Sequence, residues 1–220
     1  MKTKIFKAAA IFLLLGGFQF ISAQNDLAPI PIKLPKAMFV GTPTNLAISN
    51  LEKPLGKPRP PFMAPKGVKN IALGKPVTSS DMYPIIGDLK FITDGKAEAE
   101  EGYFVELGPM KQWVILDLQK PANIYAIVVW HYHKQPRVYY DVIVQIADDA
   151  KFTKNVRTLF NNDNDNSSGM GTGKDKNYVE TAEGKLIDAK GQSARFVRLF
   201  SKGNNGDDLN HYIEVEVYGK

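Results

Sequence analysis

Two of the three histidines in this chain, His131 and His133, lie two positions apart in the run Trp-His-Tyr-His-Lys-Gln-Pro-Arg-Val-Tyr-Tyr-Asp (130–141). On a strand that spacing puts both imidazoles on one face. A His-x-His pair can hold Zn²⁺ or Cu²⁺, but such a site needs one or two further ligands. The chain has no cysteine, and its other histidine, His211, is remote in sequence. Catalysis would need a matched acid, base or nucleophile. His133, Asp141 and Ser167 can be combined on paper, but no Gly-x-Ser-x-Gly turn presents the serine. No pair of carboxylates stands out for glycoside hydrolysis either. The expectation is a protein that is not an enzyme. The run Asn-Asp-Asn-Asp-Asn-Ser-Ser-Gly (162–169) suggests a calcium loop, but with Asp163 first, Ser168 stands where the loop needs glycine and Lys174 where it needs glutamate. Its Asn and Asp side chains are expected to hold a surface turn by bonding nearby backbone, with contact to a polar ligand as the alternative.

The elements that must position these residues are short apolar runs with turn residues between them. They are WVILDL (113–118), IYAIVVW (124–130), VYYDVIVQIA (138–147), VRTLF (156–160), ARFVRLF (194–200) and HYIEVEVYG (211–219). They are rich in Val, Ile, Tyr and Phe, and period two dominates. No sustained helical stripe with caps is present. The pattern predicts an all-β, antiparallel sandwich, with Trp113 and Trp130 read as core side chains and not as ligand platforms.

The ends bound the class. Lys2, Lys4 and Lys7 precede an apolar run from about Ala8 to Phe20 and a small residue at Ala23. That reads as a signal peptide over 1–23, hence a secreted, periplasmic or cell-surface protein with no cysteine for lipid attachment. Residues 24–66 carry most of the prolines and should form an extended arm, free or docked. Residues 67–220 form the globular domain. The formal charge of +5 is concentrated outside it: residues 67–220 carry 19 basic and 21 acidic side chains. A near-neutral domain gives no electrostatic reason to expect nucleic acid or an anionic membrane as partner. Without disulfides, the fold must stand on its own core.

The pieces NIALGKPVTSSD (70–81), ITDG (92–95), QWVILDL (112–118), IYAIVVW (124–130), YYDVIVQIADD (139–149), ARFVRLF (194–200) and IEVEVYG (213–219) occur in the order seen in one family. Over residues 68–220 the chain resembles the discoidin, or coagulation factor 5/8 type C, domain, which in bacteria is largely family 32 carbohydrate-binding modules. The resemblance implies a jelly-roll sandwich that binds sugars through loops at one end. It also implies a structural Ca²⁺ held by the Phe91 carbonyl, Asp94, the Lys96 carbonyl, the Ile213 carbonyl and Glu214, a mixed oxygen shell that suits the ion. The chain departs at Ala99, where the family often has a hydroxyl, so Glu98, Glu100 or water would substitute.

For the ligand, the resemblance points to the loop after IYAIVVW. There His131, His133 and Arg137 offer rigid planar donors and Tyr132 an aromatic face for a sugar. Asn210, in the loop before His211, is the further expected contact. The alternative for this loop is a well-packed hairpin corner. A second departure is the stretch EGYFVELGPMKQ (101–112), which lacks the His and Trp that galactose-binding members carry. The implied partner is a glycan, though not necessarily galactose. The rival function is adhesion or a structural role, with the apolar arm binding a protein partner.

Overall fold

The computed structural model describes residues 26–39, 43 and 45–220. The expected signal peptide lies outside the described residues. Apart from one 3₁₀ segment, Leu89–Thr93, the described elements are strands: β1 (Leu27–Pro29), β2 (Met63–Pro65), β3 (Lys69–Asn70), β4 (Val77–Ser79), β5 (Val105–Leu107), β6 (Gln112–Trp130), β7 (Ile143–Ala147), β8 (Arg157–Asn161), β9 (Lys185–Ser201), β10 (Asn210–Tyr212) and β11 (Glu214–Gly219). All their ladders are antiparallel. Among the described residues no helix is long and apolar enough to cross a membrane.

The two long strands, β6 and β9, pair along most of their length and organise the sandwich. Their register breaks between Asp117 and Ala122 and again between Ile124 and Ala126. The outer side of the bend uses left-handed backbone at Gln119, whose amide donates to Asp117 Oδ1 at 2.7 Å, and at Lys190, whose amide donates to Asp188 Oδ1 at 2.8 Å. Such short acidic side chains stabilise tight turns by bonding backbone two residues on. One half of the bent pair carries β4 on one side and β7 and β8 on the other; the second half carries β11 and β3. Val114, Leu116 and Leu118 from the first half meet Ile124, Ile127 and Val129 from the second in one cluster. The two halves are thus the facing layers of an antiparallel jelly-roll sandwich, as expected.

The bend also returns the free ends of both layers to the same end of the molecule. There the Ser201 hydroxyl lies 3.1 Å from that of Tyr212, His131 packs 4.9 Å from the Tyr212 ring, and Tyr139 bridges to Asn204.

The bulge after Ile124 has a second effect. It shifts the phase of alternation, so Ala126, Val128 and Trp130 point away from the main core. Left bare, they would be an apolar outer face. The Pro-rich arm covers it: Ile30, Ala64 and Val68 join Ala126, Val128, Trp130, Ile213 and Tyr218 in a second buried cluster. β1 pairs with β2, and the Tyr218 hydroxyl donates to the Pro31 carbonyl at 3.3 Å. Farther along, Arg59 donates to the carbonyls of Gly184 and Glu183, both at 2.8 Å, and Glu52 meets Lys185 at 2.8 Å. The arm is docked in cis. Trp130 is interior as expected, its indole N–H donating to the Ala182 carbonyl at 3.0 Å. Trp113 is not: it lies half-buried on the face of β6 opposite Val114, because strand alternation turns it outward.

Candidate functional site

The loop that drew attention in the sequence forms a buried polar network beneath the loop end. His131 is fully buried, its ring stacked on Tyr139 with centroids 4.4 Å apart and its Nδ1 2.5 Å from Glu180 Oε1. His133, also fully buried, bonds through Nε2 to the Ala97 carbonyl at 2.8 Å. The two imidazoles therefore hold the corner together from inside, and the expectation that they touch ligand is corrected by their burial. Among the described residues neither belongs to a cluster of three or more metal-ligating side chains; His211 bonds Tyr139 Oη at 2.9 Å and Glu106 Oε2 at 3.0 Å. Burial and the nearby Arg137 charge hold the His211 imidazole down at about 4.

Tyr132 cannot offer an open face, since Phe104 packs against it at 4.9 Å and the Arg137 guanidinium lies 5.1 Å over its ring. Arg137 itself donates to Asp207 Oδ2 at 2.7 Å, and its side chain is only 17% exposed. Asn210 is a second correction. It accepts from the Ser201 hydroxyl (2.8 Å) and the Gly203 amide (3.0 Å), and donates to the carbonyls of Gly108 (2.8 Å) and Met110 (2.9 Å). An amide with every bond made inside the protein has nothing left for a sugar.

The expected cation corner does come together. The 3₁₀ segment ends at Asp94, whose Oδ1 accepts from the Lys96 amide at 3.0 Å, and the next amide, Gly95, donates to Glu214 Oε2 at 3.2 Å. Gly95 sits at φ +85°, and a Cβ there would come within 2.9 Å of Leu73. The end of the 3₁₀ segment is thus joined, through Gly95, to the start of β11, where Ile213 and Glu214 sit. Glu214 is fully buried and its Oε1 has no partner. Burial, with Asp94 and Glu216 nearby, pushes its carboxyl up to about 10. A buried carboxylate oxygen without a donor is held either by a proton or by a cation, and an oxygen-only donor set fits Ca²⁺. Ala99 cannot contribute because its methyl group packs into the cluster beneath the arm. Glu98 and Glu100 turn outward on either side of it, into an open cavity of about 300 Å³ shared with Phe91, Asp94, Lys96 and Tyr103.

A second open cavity, of about 330 Å³, lies beside the network and was not anticipated as a site. Its walls are Tyr140, Asp141, Asn162, Asn164, Asp165, Ser167, Asn177 and Lys202, with Ser49 from the arm. The failed calcium loop builds most of it. Asp163 is buried and accepts the amides of Ser167 and Ser168 at 3.0 Å each, which folds the loop tightly and turns Asn164, Asp165 and Ser167 outward. Asn162 is pinned from both ends, accepting the Val142 amide at 2.6 Å and donating to the Tyr139 carbonyl at 3.4 Å. The expected loop is thus a turn held by its own side chains, but its root is interior. Ser167 donates to Asp141 at 2.7 Å, while His133 is engaged by Ala97, so the paper triad is not assembled. Burial raises the Asp141 carboxyl, with Ser167 and Lys202 opposing the shift.

Sequence reasoning missed Glu180, Glu106 and Asp207, which complete the buried network, and Tyr140, Asn162, Asn164 and Asp165, which line the cavity. Glu180 carried no signal, since it lies in the irregular stretch Tyr-Val-Glu-Thr (178–181). The density of Asn and Asp in 161–166 was a signal, read first as turn chemistry, with contact to a polar ligand as the alternative.

No family model and no curated protein sequence matches the chain. Several solved structures are similar in fold. The chain aligns with a family 89 glycoside hydrolase from Clostridium perfringens in complex with 2-acetamido-1,2-dideoxynojirmycin at 18% identity and a TM-score of 0.50, over 69% of this chain and 14% of that enzyme. It aligns with the CBM32 of AlyQ in complex with 4,5-unsaturated mannuronic acid at 15% identity and a TM-score of 0.47, covering 64% of this chain and 92% of the module. A fucose-binding module from Streptococcus pneumoniae matches at 17% identity and a TM-score of 0.49, over 70% and 98% of the two chains. At these identities the likeness is one of fold.

Proposed function

We propose that this chain is a non-catalytic carbohydrate-binding protein, exported by residues 1–23, that holds glycan hydroxyls in the polar cavity at the loop end of its sandwich. The observation that carries the reading is the composition of that cavity. Asn164, Asn177, Asp141, Asp165 and Ser167 offer donors and acceptors in planar or compact frames, and Tyr140 gives an aromatic wall. Such pairings of hydroxyl-matching groups with one aromatic surface suit a sugar, which has polar edges and apolar faces. The cavity is mounted on the bonded network of Asp163, Asn162 and the residues beneath, so its groups are held before ligand arrives, which lowers the ordering cost of binding.

The discoidin-like sequence pattern supports the same reading. The docked arm removes the main support for the rival adhesion role, since its apolar side chains are already buried against their own domain. The second part of the proposal is a structural Ca²⁺ at the β11 corner. Phe91, Asp94, Lys96, Ile213 and Glu214 would hold it, and bound there it supplies the positive charge that keeps Glu214 ionised.

A glycan array with the exported chain tests the reading. We expect binding to a defined set of oligosaccharides, weakened about tenfold, roughly 1.4 kcal/mol, by Tyr140→Ala. A folded protein that binds no oligosaccharide would overturn it.

A further inference from the structure

Resting on the cavity as the glycan site, we infer that it is a composite of domain and arm that selects neutral or amino-bearing sugars and rejects acidic ones. The charge on its walls carries the first half. Asp141 and Asp165 line the cavity, and Asp163 lies close behind: carboxylate oxygens of the three fall within 4.8 Å of one another. Against them stands one ammonium, Lys202, which is already engaged, 3.7 Å from Asp141 and donating to the Ser167 carbonyl at 3.1 Å. Among the described residues lining the cavity there is no arginine and no second lysine. A uronate, sialate or sulfate group entering this space meets uncompensated negative charge and no free donor fork. A hydroxyl or a protonated amine meets acceptors. Repulsion of the wrong ligand is a source of specificity in its own right.

The arm carries the second half. Residues 49–52 do not drape over the cavity loosely. Asn177 donates its side-chain amide to the Ser49 carbonyl at 2.9 Å and its backbone amide to the Asn50 carbonyl at 3.1 Å, and Glu52 returns an amide to the Asn177 carbonyl at 2.8 Å. Asn50 then reaches across to Asn164 Oδ1 at 2.8 Å. This bond joins a side chain outside the sandwich to a cavity wall, and fixes which of Asn164's polar atoms face the ligand. Asn50 is in the left-handed region, φ 52°, which Gly and Asn adopt more readily than other residues. Its type is therefore suited both to the turn and to the contact. The arm acts here as a specificity element of the site, in addition to covering the outer sheet.

The test is one array that displays neutral, amino-bearing and acidic oligosaccharides, read with the native chain, Asp165→Asn and Asn50→Gly. Asn50→Gly keeps the backbone conformation and deletes the side chain's bonds to Asn164 Oδ1 and to the Asp175 carbonyl. We expect native binding confined to neutral and amino-bearing sugars. Asp165→Asn should narrow the gap to acidic sugars by about tenfold, and raised salt should narrow it too. Asn50→Gly should weaken binding several-fold with an unchanged unfolding midpoint. Native binding chiefly to acidic glycans would overturn the inference while leaving the carbohydrate reading intact. Indifference of binding to Asn50→Gly would overturn the role of the arm. A folded protein blank on every sugar overturns both readings.

Discussion

Two groups of polar side chains share the loop end of this sandwich, and they differ in what surrounds them. Beneath, His131, Glu180, Tyr139, His211 and Asn210 are sealed from water, His131 bonded to Glu180, Tyr139 to His211, and Asn210 to Ser201, Gly203, Gly108 and Met110. Beside them, Tyr140, Asn164, Asp165 and Lys202 line an open cavity. The first group is dense in histidine and tyrosine and looks like a site in the sequence; the second is a scatter of ordinary polar residues. The difference teaches that rings with one or two polar atoms are well suited to an internal corner, where area and a few directed bonds are both used. Short amides and carboxylates suit a cavity wall, where unspent lone pairs and donors count.

The comparison breaks most visibly at Glu180. Glu180→Ala leaves the buried His131 Nδ1 without its carboxylate partner, and breaking a buried pair by removing one member costs about 3–5 kcal/mol. Urea unfolding should register that loss, and a change below about 1 kcal/mol would show that the pair does not support the corner. Calcium removal comes next. If the ion binds the folded chain alone, saturating it a hundredfold above Kd adds about 2.7 kcal/mol. EDTA should lower the melting temperature accordingly, and Glu214→Gln should abolish the difference between the two buffers. The smallest stability effect of the buried set is Asn210→Ala, about 1–3 kcal/mol from the polar groups it strands, with glycan affinity preserved below the melting transition. Tyr140→Ala should do the reverse, moving stability by no more than about 0.5 kcal/mol while affinity falls. If Asn210→Ala cost affinity without stability, the assignment of interior and cavity would be the wrong way round.

Much of the fold was legible because its signal is local. Alternation in WVILDL and IEVEVYG reports which face of a strand is buried, and it does so one residue at a time. Val114, Leu116 and Val215 all lie where that alternation puts them. Trp113 was misread against that signal, and the other failures come where a neighbour, and not the strand itself, decides burial. Trp113 points outward by the same alternation that buries Val114. Ala126, Val128 and Trp130 are buried on a face that a lone sheet would expose, because the arm lies there. Docking of the arm depends on contacts across about a hundred residues of sequence, such as Arg59 with Gly184, and no periodicity records them.

What the sequence determined by itself was the class of architecture, the near-neutral charge of the domain and the tight Asp94-Gly95 turn. Each follows from composition, from period two, or from a short motif whose geometry is local, as Asp94-Gly95 is. Only the tertiary structure decided which polar residues face solvent. His131 and Asn164 are both plausible ligand contacts by type. One sits under the stacked rings of Tyr139 and Tyr212, the other on the rim of a loop folded around Asp163. Exposure is a property of everything packed around a side chain, and that information is spread over segments as distant as Ser49, Tyr140, Asn177 and Lys202, which meet only when the sandwich closes.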